Sequence, residues 1–219
     1  MKQIKALVVA AACLATVVNV SAVPYLFEVA TKIDGTINDD PYGGGSVPPF
    51  AIGGTGLGTA AFAIGGAGGH FFGIFFDHEI DETLYTSELG SAVGAPGAGQ
   101  SWEIDEPQLF GDIYANFASG TLDNAVGVAA PDDVAMALGW NFVLTGTELA
   151  SISITASETD PGAGFRLRQH NTVGGNDIFL FGTLTINDPG VPGVPEGGAT
   201  FVTLLFALAG LSGLKLKLR

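Results

Sequence analysis

The chain has 219 residues, with 22 acids against 8 bases and a formal net charge of −14, a balance that argues against nucleic acid and other anionic polymers as partners. Its one cysteine, Cys13, excludes an intramolecular disulfide. Glycine, at 33 residues, is about twice its usual ~7% share, which fits a chain of short elements and many turns better than long helices.

In chain order, the first feature is MKQIKALVVAAACLATVVNVSA, Met1 to Ala22. Lys2 and Lys5 precede an apolar stretch that ends on Val20-Ser21-Ala22, the order of a secretory signal peptide. We expect cleavage between Ala22 and Val23, which would remove Cys13 as well. Ala10-Ala11-Ala12 lacks the larger aliphatic residue that a lipid-attachment site places three positions before its cysteine. Between Val23 and Val194 the bases are only Lys32, Arg166 and Arg168, against 21 acids, a net of −18. Such a surface suits solubility, divalent cations or neutral sugars, and a solvated acidic face is the simplest account of it.

The exported body reads as strands. PYLFEVATKI (Pro24 to Ile33), GTAAFAI (Gly58 to Ile64) and HFFGIFFDHEI (His70 to Ile80) combine aromatic and β-branched residues. DVAMALGWNFVLTG (Asp133 to Gly146) precedes ELASISITASE (Glu148 to Glu158), whose residues alternate with a period of two. GFRLRQH (Gly164 to His170) and DIFLFGTLTI (Asp177 to Ile186) complete the set, separated by Gly-, Asp- and Asn-rich turns. One or two helical turns are predicted in Glu106 to Gly120, where Leu109, Ile113 and Phe117 recur every four residues. The pattern predicts an all-β fold: a single antiparallel β-sandwich, jelly-roll-like or Ig-like, over residues 23–187. A Pro/Gly linker follows at 188–194.

The tetrapeptide Glu-Ile-Asp-Glu occurs twice, at Glu79 to Glu82 and at Glu103 to Glu106. If the first copy continues a strand, Asp77, Glu79 and Asp81 share a face and could ligate Ca²⁺, while His78 turns to the other face. The simpler reading makes both copies polar strand ends directed at water. IDGTINDDPYGGG (Ile33 to Gly45) and LDNAVGVAAPDD (Leu122 to Asp133) read as acidic loops with the same two interpretations. No G-x-S-x-G, H-E-x-x-H or G-K-[ST] sequence occurs, so the usual nucleophile, zinc and phosphate-loop motifs are missing. Trp102, Trp140, Tyr85 and Tyr114 could form a sugar-stacking platform, although Trp140 is expected in the core. Trp102, beside the second acidic copy, is the candidate for an exposed sugar-stacking ring.

The carboxyl end is VPEGGATFVTLLFALAGLSGLKLKLR. Residues 197–214 carry no charge and as a helix would span about 27 Å, enough to cross a bilayer core. Lys215, Lys217 and Arg219 would hold the end on the cytoplasmic side. Val194-Pro195-Glu196-Gly197-Gly198, the hydrophobic run and the basic end together resemble the PEP-CTERM sorting domain, over about 25 residues of the chain, with Gly197 in place of the second proline. That resemblance implies processing by an exosortase-type membrane enzyme in a Gram-negative bacterium, often alongside exopolysaccharide. Phe76 to Glu82, Gly99 to Pro107, Phe110 to Ile113, Leu122 to Asn124, Asp132 to Val134 and Ala137 to Trp140 resemble segments of secreted proteins with such tails, a likeness that implies no activity.

The leading expectation is a non-enzymatic exported protein, sorted through its tail to the cell envelope or extracellular matrix and associated with exopolysaccharide. It would span the membrane transiently and need no cofactor. The alternatives are a Ca²⁺-dependent carbohydrate-binding module and a secreted hydrolase that uses an acidic pair.

Overall fold

The computed structural model describes residues 23–40, 54–108 and 110–188. The signal segment through Ala22, the sorting motif Val194 to Gly198, the run at 197–214 and the basic end lie outside these residues. Among the described residues, no helix is long and apolar enough to cross a membrane.

Among the described residues, eleven strands form two sheets, as the alternation predicts. The first sheet contains β1 (Tyr25–Ile33), β2 (Thr36–Asp40), β4 (Gly68–Glu79), β6 (Gln100–Asp105), β7 (Ala125–Val126) and β8 (Ala135–Leu144), in the order β2-β1-β4-β8-β6-β7. The second contains β3 (Gly58–Gly65), β5 (Glu88–Val93), β9 (Leu149–Ser157), β10 (Arg166–Asn171) and β11 (Asp177–Asn187), in the order β3-β9-β11-β10-β5. All pairings are antiparallel except β6 with β7. This is an all-β sandwich.

Alternation decides what lies between the sheets. Phe72, Ile74, Phe76, Met136, Leu138 and Trp140 from the first sheet meet Phe62, Ile152, Ile154 and Leu180 from the second in one buried cluster. At about 25 cal/mol per Å² of apolar surface removed from water, this layer is the main stabilising contribution. The chain changes sheets at tight turns where glycine is required. Gly99, between β5 and β6, sits at φ 70°, and a Cβ there would come within 2.2 Å of the Asn141 carbonyl oxygen.

The opposite face of the first sheet carries a smaller second core. Helix α1 (Ile113–Ser119) lays Ile113 and Phe117 on Ala30, Phe75, Ala135 and Ala137. The predicted helical turns are therefore present, with Ile113 and Phe117 buried as their spacing requires. The helix ends on Gly120 in the left-handed conformation (φ 85°).

Two acidic stretches read as loops contain strand. Ile33 to Gly45 holds β2, because Asp34, at φ 51°, and Gly35 make a tight reversal that returns Thr36 onto Ile33. The Asp34 carboxylate completes the turn by accepting hydrogen bonds from the Phe71 N–H (2.9 Å) and the His70 ring (3.1 Å). Leu122 to Asp133 holds the two-residue strand β7.

Candidate functional site

Strands β1, β4, β8 and β6 lie side by side, so their outward residues form rows. Ala30, Phe75, Ala137 and Glu103 make one row, and Glu28, Asp77, Ala135 and Asp105 the next. Beyond the reach of α1, this face turns acidic. Asp77 and Glu79 stand on β4, and Asp133 lies just before β8.

Both acidic copies follow the same local rule. Ile80 and Ile104 enter the inter-sheet core, at 1% and 0% exposure. Their neighbours Glu79 and Glu103 therefore point to the other face. The expectation of water-directed strand ends is corrected here. Asp77 is wholly buried, Glu79 is 7% exposed, and Glu103 and Glu106 are buried too. Over Glu103 the cover comes from α1, which packs on this face of the sheet.

The two copies then diverge in use. Glu103 is satisfied within the protein. Its carboxylate accepts hydrogen bonds from the Asn116 side chain (3.0 and 3.3 Å) and the Asp123 N–H (3.1 Å), which fasten α1 to β6. Burial raises its pKa to about 7 against the pull of those donors. Glu106 accepts from the Phe110 and Gly111 N–H groups at 2.6 and 3.1 Å. Around the first copy, by contrast, several carboxylate oxygens meet without donors. Among the described residues, neither Asp77 oxygen has a hydrogen-bond partner, and the same holds for Glu79 Oε2 and Asp133 Oδ1. One oxygen from each of these three residues lies within 4.8 Å of the others.

The electrostatics follow from that crowding. Burial, then the charges of Asp133, Glu79, Glu28 and Glu88, holds Asp77 well above the usual carboxylate range. Burial, then Asp133, Glu88 and Glu82, pushes Glu79 up to about 8. Asp133 rises to about 6, by burial first and then Glu106 and Asp132, against a hydrogen bond from the Val134 backbone.

Of the predicted set Asp77, Glu79, Asp81, the structure brings Asp77 and Glu79 together but not Asp81. β4 ends at Glu79, and Asp81 turns away to accept the Thr83 N–H (3.0 Å) and hydroxyl (2.7 Å). Asp133 takes its place, from the second acidic stretch singled out in the sequence. His78 faces the inter-sheet core as expected, stacked on Phe76 at 5.2 Å, with burial holding its imidazole near about 4.

A cleft of about 420 Å³ opens beside these carboxylates, lined by Glu79 and Asp133 together with Tyr25, Phe27, Glu82, Tyr85 and Gln108. A β-bulge between Leu26 and Glu28 shifts Phe27 out of register with β4. The Tyr25 and Tyr85 side chains are 37% and 45% exposed. The exposed aromatic residues of this cleft are therefore tyrosines, and Trp102 is not among its lining residues. Trp102 shares its strand face with Ile104 and packs half-buried on the inter-sheet core, 5.8 Å from Phe165. Trp140 is buried, as predicted. Of the two tyrosines, Tyr85 is among the candidate stacking rings, whereas Tyr25 carries no sequence signal that sets it apart, since a bulge in its strand brings it to the opening.

Compared with protein-family models, with curated proteins and with solved structures, the chain matches none.

Proposed function

We propose that this is a non-enzymatic exported protein of the cell envelope or extracellular matrix whose β-sandwich binds a neutral saccharide in the cleft between Tyr25 and Tyr85. The supporting observation is the lining of that cleft. Two half-exposed phenol rings offer faces for sugar C–H groups, and Glu79, Glu82 and Gln108 offer hydrogen-bond partners for hydroxyls. The body's net −18 favours a neutral polymer over an anionic one. Export and sorting rest on the amino-terminal signal and on the PEP-CTERM-like tail, with an exosortase-type enzyme as the processing partner.

Two measurements test the reading. On an array of neutral glycans, the mature protein is expected to retain at least one oligosaccharide, and Tyr85→Ala to weaken that affinity about tenfold, the loss of roughly one stacking contact. Silence across the array, or equal binding by the variant, would refute the saccharide role. Mass spectrometry of the mature surface protein is expected to find a carboxyl terminus upstream of Arg219. An intact Lys215–Arg219 end there would contradict sorting-linked processing.

A further inference from the structure

We infer that Asp77, Glu79 and Asp133 form a divalent-cation site of the Ca²⁺ class beside the cleft. Three buried or half-buried carboxylates converge within 4.8 Å, and all their unpartnered oxygens are hard donors. Asp77 is the decisive member. It is fully buried, yet among the described residues neither of its oxygens has a donor, a costly arrangement unless something else compensates it.

No cation of the body does so. Lys32 donates to the Ala118 carbonyl (2.6 Å) and lies over the Phe71 ring at 5.5 Å, on the helix-covered part of the face. Arg166 pairs with Asp160 at 2.7 Å, and Arg168 with Asp177 at 2.8 Å. These three are all the bases between Val23 and Val194. A bound cation would satisfy the three carboxylates at once.

The donor set selects the class of ion. It is all oxygen, with His78 turned to the opposite face, which suits a hard cation over a soft transition metal. Carboxylates that bind through one or both oxygens give three to six ligands, and the cleft on the Glu79 and Asp133 side admits water or a sugar hydroxyl to complete the six to eight that Ca²⁺ takes. The site does not require the saccharide reading, since its ligands are the protein's own.

The test uses the mature protein with no saccharide present. After chelator treatment and dialysis, millimolar Ca²⁺ is expected to raise the melting temperature by about 5 °C or more and excess chelator to reverse it. Tb³⁺ is expected to show emission sensitised through Tyr25 and Tyr85 and to be displaced by Ca²⁺. Asp133→Asn should abolish both responses while melting in chelator no lower than wild type, because one repelling charge is gone. Asp81→Asn should leave both responses intact. No thermal shift together with no sensitised emission at millimolar ion overturns the site, and loss of the response in Asp81→Asn overturns the ligand set. Ca²⁺ binding by Tyr85→Ala without glycan binding would separate this site from the saccharide role.

Discussion

Phe117→Ala is expected to lower the unfolding free energy by about 3–5 kcal/mol, the cost of deleting a fully buried aromatic ring and leaving its cavity. The position is unusually exacting. Phe117 is 0% exposed and touches two other rings of its layer, with centroids 6.0 Å from Phe75 and 5.9 Å from Tyr114. Its helix is seven residues long, too short to persist in water without docking. Ile113, Phe117 and the Asn116–Glu103 hydrogen bonds are what hold it against the sheet. Losing Phe117 would therefore also loosen the cover over buried Glu103. Urea unfolding followed by tryptophan emission reads the difference. Phe110→Ala is the control, since Phe110 is 89% exposed and its removal should leave the midpoint within about 0.5 kcal/mol of wild type. A loss at Phe117 no larger than at Phe110 would mean that the second core does not hold α1.

The same layer explains what could and could not be read from the sequence. Period-two alternation was enough for β9 and β10, because each strand meets a core on one face only. It also carried the information that Trp102 and Ile104 share a face, so the burial of Trp102 was legible, and proximity to acids was the wrong guide. The acidic copies were misread for a different reason. Alternation correctly sends Glu79 and Glu103 away from the inter-sheet core, but whether that other face is wet depends on what packs over it, as α1 does over Glu103. A strand cannot reveal a cover that another segment supplies. Asp133 was beyond local reading for the same kind of reason. It reaches Asp77 only because β8 pairs beside β4, with Ala135 opposite Asp77. The β2 hairpin, in contrast, was signalled by Asp34-Gly35 and obscured by the acidic composition around it.

In chelator, the melting temperature is expected to fall steadily between pH 5 and pH 8, by about 5 °C or more in total. The direction follows from carboxylates other than the three proposed ligands. Burial first, then Asp133 and Asp81, raises Glu88 to about 8 against hydrogen bonds from Ile80 and Gln169. Burial raises Glu103 to about 7, and burial with the neighbouring Asp39 does the same for Glu28. Each has a folded-state pKa above the ordinary 4.5, so the folded protein binds protons that the unfolded chain has already released. Their stabilising contribution is complete below about pH 4.5 and is lost as the pH rises through about 7 to 8. Asp34 and Asp160 are shifted downward and act in the opposite sense at lower pH, but both are exposed, where water and salt screen the effect. A flat or rising profile between pH 5 and pH 8 would show that these buried acids are not held protonated by the fold. Glu103→Gln isolates one contributor. It removes the charge at the base of α1 while keeping an oxygen for the Asn116 and Asp123 donors, so the decline near pH 7 should become shallower.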